Sequence, residues 1–96
     1  MRIVETWGKM DVYGTTVAVG DIFEDSASGA RVIRYSGVFG TRTSDHESLE
    51  EASVYLVGLG YSKVPYESEE DMAMYRLTAL FADGGYRCEI AGKENR

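Results

Sequence analysis

Hydrophobic and polar positions change period along this chain, and the changes outline its elements. From Arg2 to Trp7, Ile3, Glu5 and Trp7 alternate with Val4 and Thr6, the two-residue period of a strand, and Gly8 ends the run. Thr15 to Phe23 alternates as well and is richer in β-branched residues, with an interruption at Gly20-Asp21. Glu24 to Ala30 is a loop of turn formers. In Arg31 to Phe39, Val32, Arg34 and Ser36 oppose Ile33, Tyr35 and Gly37, so the second and third runs are placed to pair as a hairpin.

The period lengthens in the middle. Ser44-x-x-Glu47 and Ser48-x-x-Glu51 both match the capping box, in which a serine caps a backbone N–H and the acid reaches back. Leu49, Ala52, Leu56 and Leu59 then recur at helical spacing, widened by Tyr55, and Gly58 and Gly60 supply a stop. This predicts a helix over 47–59. Tyr61 to Tyr66 is extended, and Pro65 bars it from a central strand position.

Met72 to Ile90 fits two patterns. As β, Tyr75, Leu77, Ala79 and Phe81 share a face, and Ala82-Asp83-Gly84-Gly85 turns into Tyr86 to Ile90. As helix, Ser68-x-x-Asp71 approximates a capping box, with Met72, Tyr75, Ala79 and Leu80 as a stripe. The Asp-Gly turn cue favours the hairpin. The expectation is an α+β domain over 1–96, with a single antiparallel β-sheet and one main helix packed on one face, in the order β-β-β-α-β-β-β. The other face would be solvated, or covered by a partner or a second copy.

Charge sharpens this outline. The net charge is −6, and eight acids against the single Lys63 between Asp45 and Asp71 give that stretch −7. Such a stretch repels a nucleic-acid backbone and suits a cationic protein surface. Cys88 stands alone and cannot form an internal disulfide, as suits a reducing compartment. Met1 to Glu5 lacks the apolar stretch of a signal peptide, and no apolar run approaches the roughly 20 residues that span a membrane. A soluble, cytoplasmic protein is expected.

Candidate chemistry is sparse. Cys88 and His46 are a conceivable nucleophile and base, but no orienting group or oxyanion donor accompanies them in sequence. Glu50/Glu51 at the helix start and Glu69/Glu70 in the acidic turn from Glu67 to Asp71 are adjacent acids, a solvent-facing pattern more than an acid–base couple. One His and one Cys cannot build a structural zinc site, and Asp21, Glu24, Asp25 and Ser28 lack the spacing of a calcium loop. Gly58-Leu59-Gly60 follows a helix instead of opening one, so it is no dinucleotide motif. No enzyme, no metal and no cofactor is the expectation. Seven tyrosines exceed what so small a core requires, and Tyr61 and Tyr66 flank the acidic region, where they could anchor a partner.

The β-rich first half, the phrase Ser48-Leu49-Glu50-Glu51-Ala52-Ser53 and the extended segment after Gly60-Tyr61 resemble small acidic phage-type inhibitor proteins of the anti-CRISPR-like kind. The same helix phrase looks like that of antitoxins from toxin–antitoxin pairs. The resemblance implies a protein without enzymatic motifs, and it transfers no individual residue. The function expected is inhibition or regulation of a larger, nucleic-acid-handling protein with a basic surface, without direct nucleic-acid or membrane contact, by a monomer or homodimer. The partner-binding residues expected are Glu50, Glu51, Tyr61, Tyr66, Glu67, Glu69, Glu70 and Asp71. The alternative is an antitoxin-like or regulatory oligomer pairing through a β-edge; a small enzyme ranks third.

Overall fold

A computed structural model of the chain describes residues 2–24 and 29–82. The elements in order are β1 (Arg2–Met10), β2 (Thr16–Glu24), β3 (Ala30–Ser36), β4 (Gly40–His46), α1 (Leu49–Gly58), β5 (Ser62–Val64) and α2 (Glu69–Ala82). The fold is α+β, as the patterning indicates. Its one antiparallel sheet has five strands in the order β4-β3-β2-β1-β5. The first four form a meander of hairpins. In the β1–β2 turn, the Asp11 carboxylate accepts the backbone N–H groups of Tyr13 at 2.9 Å and Thr15 at 3.0 Å, and Gly14 takes the left-handed conformation, φ 81°.

The helices lie on opposite faces of the sheet. Gly20, in the middle of β2, pairs with Trp7 on one side and Arg34 on the other. A Cβ at Gly20 would stand 2.9 Å from Leu56 Cδ2, so the missing side chain is what lets α1 approach. That face carries Trp7, Ala18, Ile22, Ala30 and Val32, which close a core with Ala52, Leu56 and Tyr61. Successive strand residues point to opposite faces. Gly8 and Asp21, each next to one of these face residues, therefore look the other way. A Cβ at Gly8 would meet the Tyr75 hydroxyl of α2, and Asp21 bonds Arg76 of α2. The strand β2 is buried on both sides, and the Gly20-Asp21 interruption is where both helices are received.

Among the described residues the order is β-β-β-β-α-β-α, which corrects the expected order in two places. Thr43 to His46 is strand, not the start of the helix. Ser44 bonds His46 instead of capping, and Ser48 alone is the cap, its hydroxyl accepting the Glu51 N–H at 3.1 Å. Residues 72–82 are helix, not strand. Ser68 accepts the Asp71 N–H at 3.1 Å, and Met72, Arg76 and Ala79 turn to the sheet while Leu77 stays 46% exposed. The second face, expected to be solvated or covered by a partner or a second copy, is covered by α2 over β2 and β3. The turn at 82–85 and the strand at 86–90 fall mostly outside the described residues. The short strand β5 sits at the sheet edge and stops before Pro65, as that residue demands.

Candidate functional site

Both helices begin at the same end of the sheet. Arg2, Glu24, Ala30 and His46 pair successively across one end row. Beside that row α1 starts, with Glu51 Oε1 3.9 Å from His46 Nδ1. On the other face α2 starts, with Glu69 and Met72 facing Arg2 and Ile3 across a cleft. Both helices then climb to the far end, where Gly60 lies against Lys9 and the Ala79 carbonyl accepts the Gly37 N–H at 3.1 Å. Acids at these starts oppose the positive ends of the helix dipoles, which is the local reason the sequence tolerates them in clusters.

The expected partner-binding residues divide by face and burial. Glu50 and Glu51 are exposed on the α1 side of this end; Glu67, Glu69, Glu70 and Asp71 are exposed on the α2 side. Asp45 is not a free charge, because the Arg31 Nε at 2.7 Å holds its carboxyl below the usual range. Tyr66 is 68% exposed. Tyr61 is 5% exposed and belongs to the core cluster beneath α1, so its ring is not available as an anchor.

Tyr66 stands at a cleft of about 790 Å³ between the first half of β1, the β5–α2 connection and the opening turns of α2. Its apolar lining includes Ile3, Phe23, Pro65 and Met72, and Arg2, Lys63 and Glu69 add charge. β5 pairs with β1 only at Thr6 to Gly8, so Arg2 to Glu5 has no strand on its outer side among the described residues. At the other edge of the sheet, β4 pairs with β3 alone among the described residues, and its seven residues are mostly exposed.

Two polar arrangements escaped sequence reasoning. The first lies beneath α2. Asp21 is fully buried; it accepts the Thr6 hydroxyl at 2.7 Å and both Nε and Nη2 of Arg76, the latter at 3.0 Å. Tyr35 lies near this pair, and its phenol is pushed above the usual value, first by burial and then by the Asp21 charge. An Asp within a run of β-branched and apolar residues was the available signal. The fold favours neutral Tyr35, so this contribution is complete below about pH 10 and lost as pH rises through the raised folded value. Burial raises Tyr61 too. Tyr35→Phe is expected to flatten the alkaline loss of stability, measured as the urea midpoint from about pH 8 to about pH 11. An unchanged slope would mean that Tyr35 is not a titrating contributor.

The second arrangement is Ser44 and His46 on β4, with Ser44 Oγ 2.8 Å from His46 Nε2. Glu51 completes a serine–histidine–acid line, but its 3.9 Å separation exceeds hydrogen-bond length, and the His46 ring instead packs on Tyr55 at 4.6 Å between centroids. His46 does not line the cleft, and Cys88 falls outside the described residues. Among the described residues no group of three or more His, Cys, Asp or Glu could hold a metal ion, and no helix is long and apolar enough to cross a membrane. Comparison with protein-family models, with curated proteins and with solved structures finds no match.

Proposed function

We propose that this chain is a non-enzymatic binding protein that inhibits or regulates a larger, nucleic-acid-handling partner, docking its acidic end on a basic surface. A phage-type inhibitor of the anti-CRISPR-like kind is its most specific form. The observation that supports the reading is the common end at which α1 and α2 begin. It brings Glu50 and Glu51 to the same end of the sheet as Glu67, Glu69, Glu70 and Asp71, which sequence order alone could not do. Tyr66, exposed beside the cleft, is the aromatic available as an anchor.

Charges at an interface rim act chiefly on the encounter rate, screened over about 8–10 Å at 0.1–0.15 M salt. Reversing Glu69, Glu70 and Asp71 to Lys is therefore expected to slow association by about tenfold or more at low salt, with little effect on dissociation. Tyr66→Ala is expected to speed dissociation. The check is surface plasmon resonance at two salt concentrations, against the partner captured from the native host. Salt-independent binding, with the triple reversal indistinguishable from the original protein, would reduce the acidic end to a solubility feature.

The outer edge of β4, open among the described residues, favours a second reading, a regulatory oligomer of the antitoxin-like type. Seven residues without proline offer unpaired backbone groups to another strand. Sedimentation at rising protein concentration separates the two readings, since edge pairing yields a mass-action dimer without any partner.

A further inference from the structure

The α1 face of the sheet carries two arginines that meet no carboxylate among the described residues. Arg34 on β3 and Arg42 on β4 are direct register partners, on the same face as Gly20 and Trp7. Directly opposed side chains on antiparallel strands have Cβ atoms about 4.5–5.5 Å apart, and like charges so placed repel. Four other basic side chains, Arg2, Arg31, Lys63 and Arg76, each meet a carboxylate. Among the described residues, Arg34 and Arg42 meet none. Acids are not scarce in a chain with sixteen of them against ten basic residues. The two guanidiniums nevertheless share the Phe39 ring, without a counter-charge among the described residues.

Both are also held in place. The Phe39 ring lies 5.2 Å from the Arg34 guanidinium carbon and 5.4 Å from that of Arg42. Arg34 lies 5.6 Å over Tyr55 as well. Phe39 belongs to the β3–β4 turn, which is fixed by the Val38 N–H bond to Ser36 Oγ at 3.1 Å and by Gly40 at φ 75°. Stacking on aromatic rings orients guanidinium planes before any ligand arrives, which lowers the ordering cost of binding. The next residue on this face of β4 is Ser44, whose hydroxyl adds a polar group to the rim.

We propose that Arg34 and Arg42 form a binding site for a phosphate-type oxyanion, taken between the two guanidiniums beside Phe39. Each planar fork can give a phosphate two N–H donors, and a bound dianion turns their mutual repulsion into attraction. Two guanidiniums serve one phosphate group, and a chain of net charge −6 opposes a long polyanion. The ligand class is therefore a small phosphomonoester or inorganic phosphate.

The test is a titration of the full chain with inorganic phosphate at constant ionic strength, followed by NMR of backbone and arginine Nε–H signals. Saturable shifts at Arg34, Phe39 and Arg42 are expected. Arg42→Gln, checked for intact fold by circular dichroism, should weaken binding by about tenfold or more, the loss of a charged hydrogen-bonded contact. Without phosphate the same variant should melt no lower than the original protein, because a like-charge pair has been removed. Shifts that never saturate, or an Arg42→Gln variant that binds equally well, would overturn the site. A single-stranded oligonucleotide binding the same residues more tightly than phosphate would overturn the small-ligand assignment.

Discussion

Arg76→Met is expected to destabilise the protein by about 3–5 kcal/mol, because it leaves a buried carboxylate without its counter-charge. Asp21 is fully buried between the sheet and α2, whereas the Arg76 side chain keeps 20% of its surface in water. After the substitution, the Thr6 hydroxyl is the one side-chain hydrogen bond left to that carboxylate among the described residues. The pair itself need not be a net source of stability, since bringing two charges out of water costs several kcal/mol per ion before their attraction offsets it. The double variant Asp21→Asn with Arg76→Met should consequently lose less than Arg76→Met alone. Urea unfolding of both variants measures the difference. A loss under about 1 kcal/mol in the single variant would show that water reaches Asp21 and relieves it.

Leu56→Ala should cost about 2–5 kcal/mol, the range for emptying a buried leucine site. Leu56 is fully buried and presses on the backbone of β2 at Gly20, among Trp7, Ile22 and Val32. Glycine beneath it has no side chain to move into the space, so the cavity can close only by shifting α1 bodily toward the sheet. A cost at the upper end of the range is therefore expected, read from the urea midpoint at unchanged slope. A loss under about 1 kcal/mol would place Leu56 at a site that collapses freely or faces solvent.

The helix α1 was legible because its signals agree. Ser48 caps it, Ala52 and Leu56 fall on the buried face, and Gly60 takes the left-handed conformation expected of a stop, φ 91°. The stripe was narrower than its spacing implied, since Leu49 and Leu59 remain 43% and 36% exposed at its ends. The helix α2 was misread for a physical reason. Tyr75, Leu77, Ala79 and Phe81 alternate as a strand would, and the residues that decide the case, Arg76 and Gly8, contribute through tertiary contact. An arginine counts as polar in any periodicity, yet here it points inward to a buried acid. The capping serine at Ser68 was the local sign that outweighed the alternation.

The acidic stretch was visible as composition, and its division between two faces was not, because that depends on which side of the sheet each helix takes. Tyr61 and Tyr66 illustrate the same limit. Five residues apart and both beside the acids in sequence, one fills the core and the other stands in water. Arg34 and Arg42 were unremarkable in sequence, since only the β3–β4 register makes them neighbours.

The buried Asp21 has a consequence for how the chain assembles. Three of the four strand pairings join strands adjacent in sequence, whereas β5 must return to β1 from the far side of α1, pairing Val64 with Thr6. Local hairpins close quickly and distant pairings later, because long closures carry a larger entropy cost. During synthesis the meander can form while α2 has yet to emerge, so the surface that α2 will cover, with Val19 and Phe23 on it, faces water. A carboxyl side chain at Asp21 in the middle of that surface discourages another half-made sheet from stacking there, because burying it without a partner is costly. The same carboxylate that ties down the finished α2 thereby guards its seat while the helix is still to come.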